Sequence, residues 1–384
     1  MNRNTWLRAP WQQGGQSLTY QRGWVNRERL IDRLVRLCSI DSAPRHEGAL
    51  AAAMAAELAA LGCSVESDGA GAAIGGECGN LLARLPGSGD PVLFVAHLDR
   101  YPGGTGVRPR LRGDALVASG TILGADAAAG LAVALELLAV LRERGPAHPA
   151  LEFAFTVGEE LGLLGAAQLD PAWFRAGQAY CLDGEGPVGT ACVEAPHQVR
   201  LTLRLQGADR HAPAQAETPG SAMQITGYAM AHMRLGRVDP GTVAQVGAAE
   251  REPEPGCVEL WLEVRAASSG KLAAQEAHMR RCVEAAAERF GGRCTWLAEQ
   301  RVTGYRLEPA APVLTRALAA MAAAGVAPLV GAAPGASDAN VLVARGIPTL
   351  LLGMGFEQIH TTAERMPLAQ LKAAAELALA IVLA

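Results

Sequence analysis

The stretch Pro91-Val92-Leu93-Phe94-Val95-Ala96-His97-Leu98-Asp99 decides how this chain is read. Its first six residues form an unbroken apolar run of strand length, which predicts a strand covered on both faces. A histidine and an aspartate follow where that strand should end. In extended chain, residues two apart point to one face, so Asp99 would sit beside His97. A carboxylate on the far nitrogen of a metal-bound imidazole fixes its tautomer and orientation. Taken alone, the pair reads equally well as a surface histidine beside a surface acid.

Working outward, Leu151 to Val157 (LEFAFTV) reads as another buried strand, and Tyr180 to Leu182 and Thr349 to Leu352 look like two more. Gly79 to Ala83 begins a short strand. Leu30, Leu34 and Leu37 repeat at helical spacing, and Ala49 to Leu61 reads as a second helix. Ala127 to Arg142 is a long helix stopped by Gly145-Pro146. Strands alternating with helices imply an α/β sheet covered on both faces. From residue 197 to 300 the pattern changes. Val199, Leu201, Leu203 and Leu205 alternate with polar residues, as do Val258, Leu260, Leu262 and Val264. Such alternation means strands with one solvated face. With helical segments near Gly220 to Leu235 and Gly270 to Phe290, the order suggests an inserted α+β module of ferredoxin-like kind. Ala310 to Gly325 resumes helical character as the chain returns. The expected organisation is therefore a mobile tail over 1–25, a main α/β domain from 26–196 and 301–384, and an insert over 197–300.

Composition fits a globular protein. Of 384 residues half are hydrophobic, enough for more than one core. The formal charge of −4, with acids and bases mixed, gives no basic surface for nucleic acid. Nothing reads as a membrane span. Met1 to Trp24 has no apolar core of a secretory signal. Eight scattered cysteines form no Cys-x-x-Cys pair, which suits reduced thiols in the cytoplasm. Cys181 and Cys192 have apolar neighbours and read as core residues.

Further acids fall at strand ends or turns. Glu159-Glu160 lies just past the second strand, at the edge where α/β sheets place their ligands. Two neighbouring acids point in different directions, so one can bind metal while the other holds a water. Asp126 sits in a Gly-rich turn before the long helix, and alone it reads as an N-cap. Asp183 follows Tyr180-Cys181-Leu182, and His360 follows the strand Thr349 to Leu352. Oxygen and imidazole donors without thiolate suit Zn²⁺ first, then Co²⁺ or Mn²⁺.

Read in order, HLDRYP, GADAAAG, FTVGEELGLLGA, LDGEGPVGT, GASDAN and GIPTLLLGMGFEQIHTTAE resemble the motifs of the peptidase T, carboxypeptidase G and aminoacylase family, most closely its peptidase T-like branch. The resemblance implies a metal-binding α/β domain with an inserted lid that makes a homodimer contact. It implies two divalent ions, with His97 and Asp183 on one, Glu160 and His360 on the other, and Asp126 between them. Glu159 would be the general base and Asp99 the partner of His97. His211 would reach the oxyanion of the partner's site, and Arg265 would hold a substrate carboxylate. Gly335, Ser337, Asp338 and Asn340 would line the substrate pocket. The implied substrate is a small peptide or an N-acyl amino acid. The alternatives are a non-peptide amidohydrolase on the same scaffold and a catalytically silent relative.

The pattern also departs from the family's. Ala127-Ala128-Ala129 follows Asp126 where members commonly have Asp-Lys-Gly, and Arg100 follows Asp99 where Thr is usual. Gln245 and the Glu254 to Cys257 turn stand where asparagines are expected, and Ala266 follows Arg265 in place of a small hydroxyl residue. Other chemistries lack their motifs. His46-Glu47 has no second histidine four residues on, and there is no Gly-x-Ser-x-Gly elbow or phosphate loop. His148, His232 and His278 read as solvated.

Overall fold

The computed structural model describes residues 20–207, 220–251, 254 and 256–383. The chain forms two compact units, one from residues up to Glu194 together with those from Arg306 onward, the other from Ala195–Tyr305.

The first unit is built on a mixed nine-stranded sheet. At its centre Leu151–Thr156, Val92–His97, Ala179–Gly184 and Thr349–Gly353 lie side by side and parallel. Three of these strands are buried along their whole length and only Asp183 in the fourth is partly exposed, as continuous apolar runs require. Phe94 stacks on Phe153 at 5.9 Å and meets Tyr180 at 5.8 Å, tying three neighbouring strands. Leu81–Leu85 adds to Leu151–Thr156 antiparallel, and Ser64–Ser67 closes that edge. Register sets the site. His97 lies level with Thr156, and Val95 lies level with Cys181. The residues just beyond His97, Thr156 and Leu182 therefore emerge at one carboxyl edge.

Helix Ala125–Arg144 runs along the sheet and is buried from Ala125 to Leu141. Apolar residues on every side let it be covered on every side. It packs on helix Arg27–Cys38, helix Leu368–Leu383 and the central strands. Gly130 permits this approach, because a Cβ there would lie 2.5 Å from the Leu182 carbonyl oxygen. Glu136, fully buried on this helix, accepts from Arg29 at 2.7 and 2.8 Å, from Arg33 at 2.7 Å and from the Asn26 backbone at 2.9 Å. One carboxylate thus joins the two helices.

Tyr20 and Val25, which sequence reading put in a mobile tail, pack on the body. The Tyr20 hydroxyl donates to Glu376 at 2.6 Å, and the Gly23 amide donates to the same carboxylate at 3.0 Å. Burying two apolar side chains holds this short stretch in place.

The second unit runs strand His197–Gln206, helix Ala222–His232, strands Thr242–Arg251 and Cys257–Ala266, helix Ser269–Arg289 and strand Arg293–Val302. Its sheet is antiparallel, in the order Gly236–Asp239, Thr242–Arg251, Cys257–Ala266, His197–Gln206, Arg293–Val302. The long strands have the ferredoxin-like order. The alternating Val199, Leu201, Leu203 and Leu205 pack with Leu260, Leu262 and Val264 under Ile225, Met279 and Val283 of the helices.

Candidate metal centre

His97 is the last residue of its strand and is buried. Its Nδ1 donates to the backbone carbonyl of Asp99 at 2.9 Å. A carbonyl only accepts, so the proton is on Nδ1. That leaves Nε2 facing acids, 3.1 Å from Asp126 Oδ1 and 3.2 Å from Asp183 Oδ1. The second imidazole enters from the opposite side. His360 Nε2 lies 3.2 Å from Asp126 Oδ2 and 3.2 Å from Glu160 Oε1. Asp126 therefore presents one oxygen to each imidazole, with Asp183 beside one and Glu160 beside the other. Donor atoms of His97, Asp126 and Glu160 all lie within 4.8 Å of one another.

Backbone amides hold the acids in place. The helix breaks at Asp126, whose φ of −84° and ψ of 106° are extended and turn the side chain out of the helical path. Asp99 does not direct its carboxylate primarily at His97, from which Oδ1 is 3.4 Å away. It accepts the amides of Glu159 at 2.9 Å and Glu160 at 3.0 Å. The chain bends at Leu98, so the strict two-residue alternation ends before Asp99. Glu47, which is buried, accepts the adjoining amide, that of Gly158, at 2.9 Å. Tyr101 stacks on His360 with centroids 4.0 Å apart and planes 9° apart. Neither Glu47 nor Tyr101 carried a periodic or spacing signal.

The electrostatics fit a cation. Burial, reinforced by the carboxylates of Asp183, Asp338 and Glu160 and opposed by His97, pushes Glu159 well above the usual carboxylate range. Burial and the neighbouring Asp126 push Asp183 up to about 8, against the pull of His97. Burial disfavours a charged Asp126, but the two imidazoles outweigh it and hold that carboxyl below its ordinary range. Burial likewise opposes a charge on His360, yet Asp126 and Glu160 push it up to about 10. Three acids, Asp126, Asp183 and Glu160, face the Nε2 atoms of two imidazoles. Lone pairs aimed at carboxylates need positive charge between, as protons or as metal. Glu160 Oε1 is buried with no hydrogen bond of acceptable geometry. The donor set is all imidazole and carboxylate, so the residues present fit a divalent ion.

The other sequence candidates are dispersed. Asp338 and Asn340 are 1% exposed and Ser337 is 4% exposed. Ser337 and Asn340 cap the helix Asp338–Ala344, with the Ser337 amide donating to Asn340 at 3.1 Å. Asp338 accepts from the Thr156 hydroxyl beneath the Glu159 turn, and burial pushes it up to about 6. Gly335 is half-buried on the preceding loop. Arg265 belongs to the second unit, where its guanidinium is 2.9 Å from Glu263. Glu263 also takes Gln245 at 3.0 Å and Arg200 at 3.2 Å. His211 lies outside the described residues. Ala127, Ala128 and Ala129 are all buried, so the departure after Asp126 supplies small apolar residues to a sealed helix start.

The acid and imidazole cluster stands at the carboxyl edge of the parallel strands, where α/β sheets place their ligands. The sequence from residue 93 to 384 matches the model of peptidase family M20/M25/M40, and the chain belongs to that family. It is 36% identical over 365 residues to the uncharacterized protein YqjE of Bacillus subtilis (strain 168), covering 93% of this chain and 98% of that one. Among solved structures it is similar to aminopeptidase PepT from Bacillus cereus ATCC 10987, with 35% identity, 94% and 99% of the two chains covered and a TM-score of 0.78. It is also similar to a tripeptidase from Staphylococcus aureus subsp. aureus Mu50, with 30% identity, 94% and 98% covered and a TM-score of 0.85.

Proposed function

We propose that this chain is a metal-dependent exopeptidase of short peptides, with two divalent ions held by His97, Asp126, Glu160, Asp183 and His360. The observation that carries the reading is Asp126 with one oxygen toward each imidazole. It supports an arrangement in which His97 and Asp183 hold one ion, His360 and Glu160 the other, and Asp126 both. Zn²⁺ is the first choice for this donor set, with Co²⁺ and Mn²⁺ next. When bound, such a pair supplies Lewis acidity to the scissile carbonyl and acidifies water.

The chain's own residues do the rest. Glu159 accepts a proton from the attacking water and returns it to the leaving amine, and its raised proton affinity suits both steps. Asp99 holds Glu159 and Glu160 through their amides, so the base and a ligand keep a fixed spacing. His97 is oriented by its Nδ1 hydrogen bond. Arg265 would take a substrate carboxylate in competition with Glu263, and His211 would serve the oxyanion across a homodimer. Eight cysteines, none in a disulfide among the described residues, support a cytoplasmic location. Among the described residues no helix is long and apolar enough to cross a membrane.

Substrate class follows from the relatives named an aminopeptidase and a tripeptidase. Di- and tripeptides with free amino termini, N-acyl amino acids and N-carbamoyl amino acids should be assayed with Zn²⁺, Co²⁺ and Mn²⁺. The expected result is release of the first residue from tripeptides. Cleavage of the acylated or carbamoylated compounds alone would replace the reading with a non-peptide amidohydrolase. No hydrolysis of any compound would leave a ligand-binding relative.

A further inference from the structure

Glu364 is 2% exposed and carries no role in the scheme above. Its carboxylate accepts four consecutive backbone amides at the start of the buried helix. Oε2 takes Leu123 at 2.9 Å and Gly124 at 2.9 Å, while Oε1 takes Ala125 at 2.8 Å and Asp126 at 3.3 Å. Ala125 and Asp126 open the helix, where amides lack internal partners, and Leu123 and Gly124 precede it. The donors stand about 240 positions away in sequence, so the contact is a tie between distant segments.

The same residue stands at the base of the His360 loop. Glu357 and Arg365 exchange backbone hydrogen bonds at 2.9 and 3.0 Å, closing a hairpin around residues 358–364. Within it the Glu364 amide donates to Thr361 at 3.1 Å, and the Thr361 hydroxyl donates to Gln358 at 2.7 Å. His360 sits at the tip with φ of 61°, a left-handed conformation that the hairpin must hold. A closed ring of contacts results. It runs from Asp126 through its amide to Glu364, along the hairpin to His360, and back to Asp126 at 3.2 Å.

A buried cation lies behind the same turn. Arg100 is 2% exposed and donates to Leu37 at 2.6 Å and to Gly104 at 3.2 Å, both backbone carbonyls. Burial lowers its proton affinity, and the acids Asp41 and Glu364 oppose that. Its side chain packs under the turn, since a Cβ on Gly124 would lie 2.4 Å from Arg100 Cδ. The arginine that departs from the family pattern thus lies behind the Asp126 turn.

We infer that Glu364 is a positioning residue, which fixes the Leu123–Asp126 turn to the His360 hairpin and so sets how Asp126 is shared between the two imidazoles. This rests on the metal centre proposed above. It predicts that loss of the carboxylate weakens metal binding without unfolding the chain.

The test compares Glu364→Gln with Glu152→Gln. Glu152 is also 2% exposed and also straps backbone, accepting Arg175 at 3.0 Å and Ala176 at 3.0 Å, but at the start of its strand and away from the carboxyl edge. Zn²⁺ affinity is measured by competition with a chromophoric chelator, and thermal midpoints are read alongside. Glu364→Gln should weaken Zn²⁺ by about 10- to 100-fold, the effect typical of outer partners of metal ligands. Glu152→Gln should lose thermal stability with unchanged Zn²⁺ affinity. Glu364→Asp, which keeps the charge, should fall between parent and Glu364→Gln, and it serves the comparison if the glutamine variant does not fold. Unchanged affinity in the Glu364 variants would overturn the inference, as would equal weakening in Glu152→Gln. A parent that binds no Zn²⁺, Co²⁺ or Mn²⁺ would instead overturn the metal centre itself.

Discussion

Glu159→Gln should keep its metal and lose about 100- to 10,000-fold in turnover, the usual worth of a positioned acid–base group. The substitution is close to isosteric and leaves the turn intact, because the turn is held by the backbone amides of Glu159 and Glu160 on Asp99. All five proposed ligands keep their oxygens and nitrogens. What disappears is a carboxylate whose proton affinity burial and three neighbouring acids have raised. A positioned carboxylate takes a proton from water and gives it to the leaving amine. The measurement is kcat on the best tripeptide, with bound metal determined on the same sample. Turnover within a few fold of the parent would place the base elsewhere.

Glu136→Ala should destabilise the chain by about 3–5 kcal/mol, the cost of breaking a buried ion pair from one side. The carboxylate is fully buried and is shared by Arg29, Arg33 and the Asn26 amide. Removing it leaves Arg33, whose side chain is only 10% exposed, with Glu57 alone, and Arg29 with the more exposed Glu143. Helix Arg27–Cys38 also loses a partner of its capping residue. Urea unfolding should show the loss as a lower midpoint with unchanged slope. A loss below about 1 kcal/mol, the size of an exposed pair, would mean that solvent replaces the carboxylate.

The residues that sequence exposed most clearly are those whose role is local. The run Val92 to Ala96 announces a buried strand because each of its residues is apolar, and the strand delivers His97 to the edge. Glu159-Glu160 follows a similar strand, so its position is legible from the run before it. The alternation through Val199 to Leu205 marks the inserted module because that strand pairs on both sides and has one apolar face.

What sequence hid depends on distant backbone. Glu364 reads as one acid in a polar loop, and its donors lie in the turn before Asp126. Glu47 holds Gly158 in the same way, across 111 positions. A carboxylate bound to amides leaves no pattern, since any residue supplies the amide. Asp99 stands beside His97, with Oδ1 3.4 Å from Nδ1, but its grip on the Glu159 and Glu160 amides left no pattern. The strands Arg110–Arg112, Ala115–Val117 and Arg365–Pro367 are too short to show a period, and their pairing brings the far end of the chain back beside residue 115. Helix Leu368–Leu383 is buried almost throughout, so it lacks the polar face that marks an amphipathic helix.

The central claim is that hydrolysis depends on ions held by His97, Asp126, Glu160, Asp183 and His360. The most direct measurement strips the chain with chelator, returns Zn²⁺ in steps, and records bound metal and tripeptide hydrolysis on each sample. The account predicts no hydrolysis without metal, and activity that rises with occupancy to two ions per chain. Undiminished hydrolysis by the metal-free chain would contradict it.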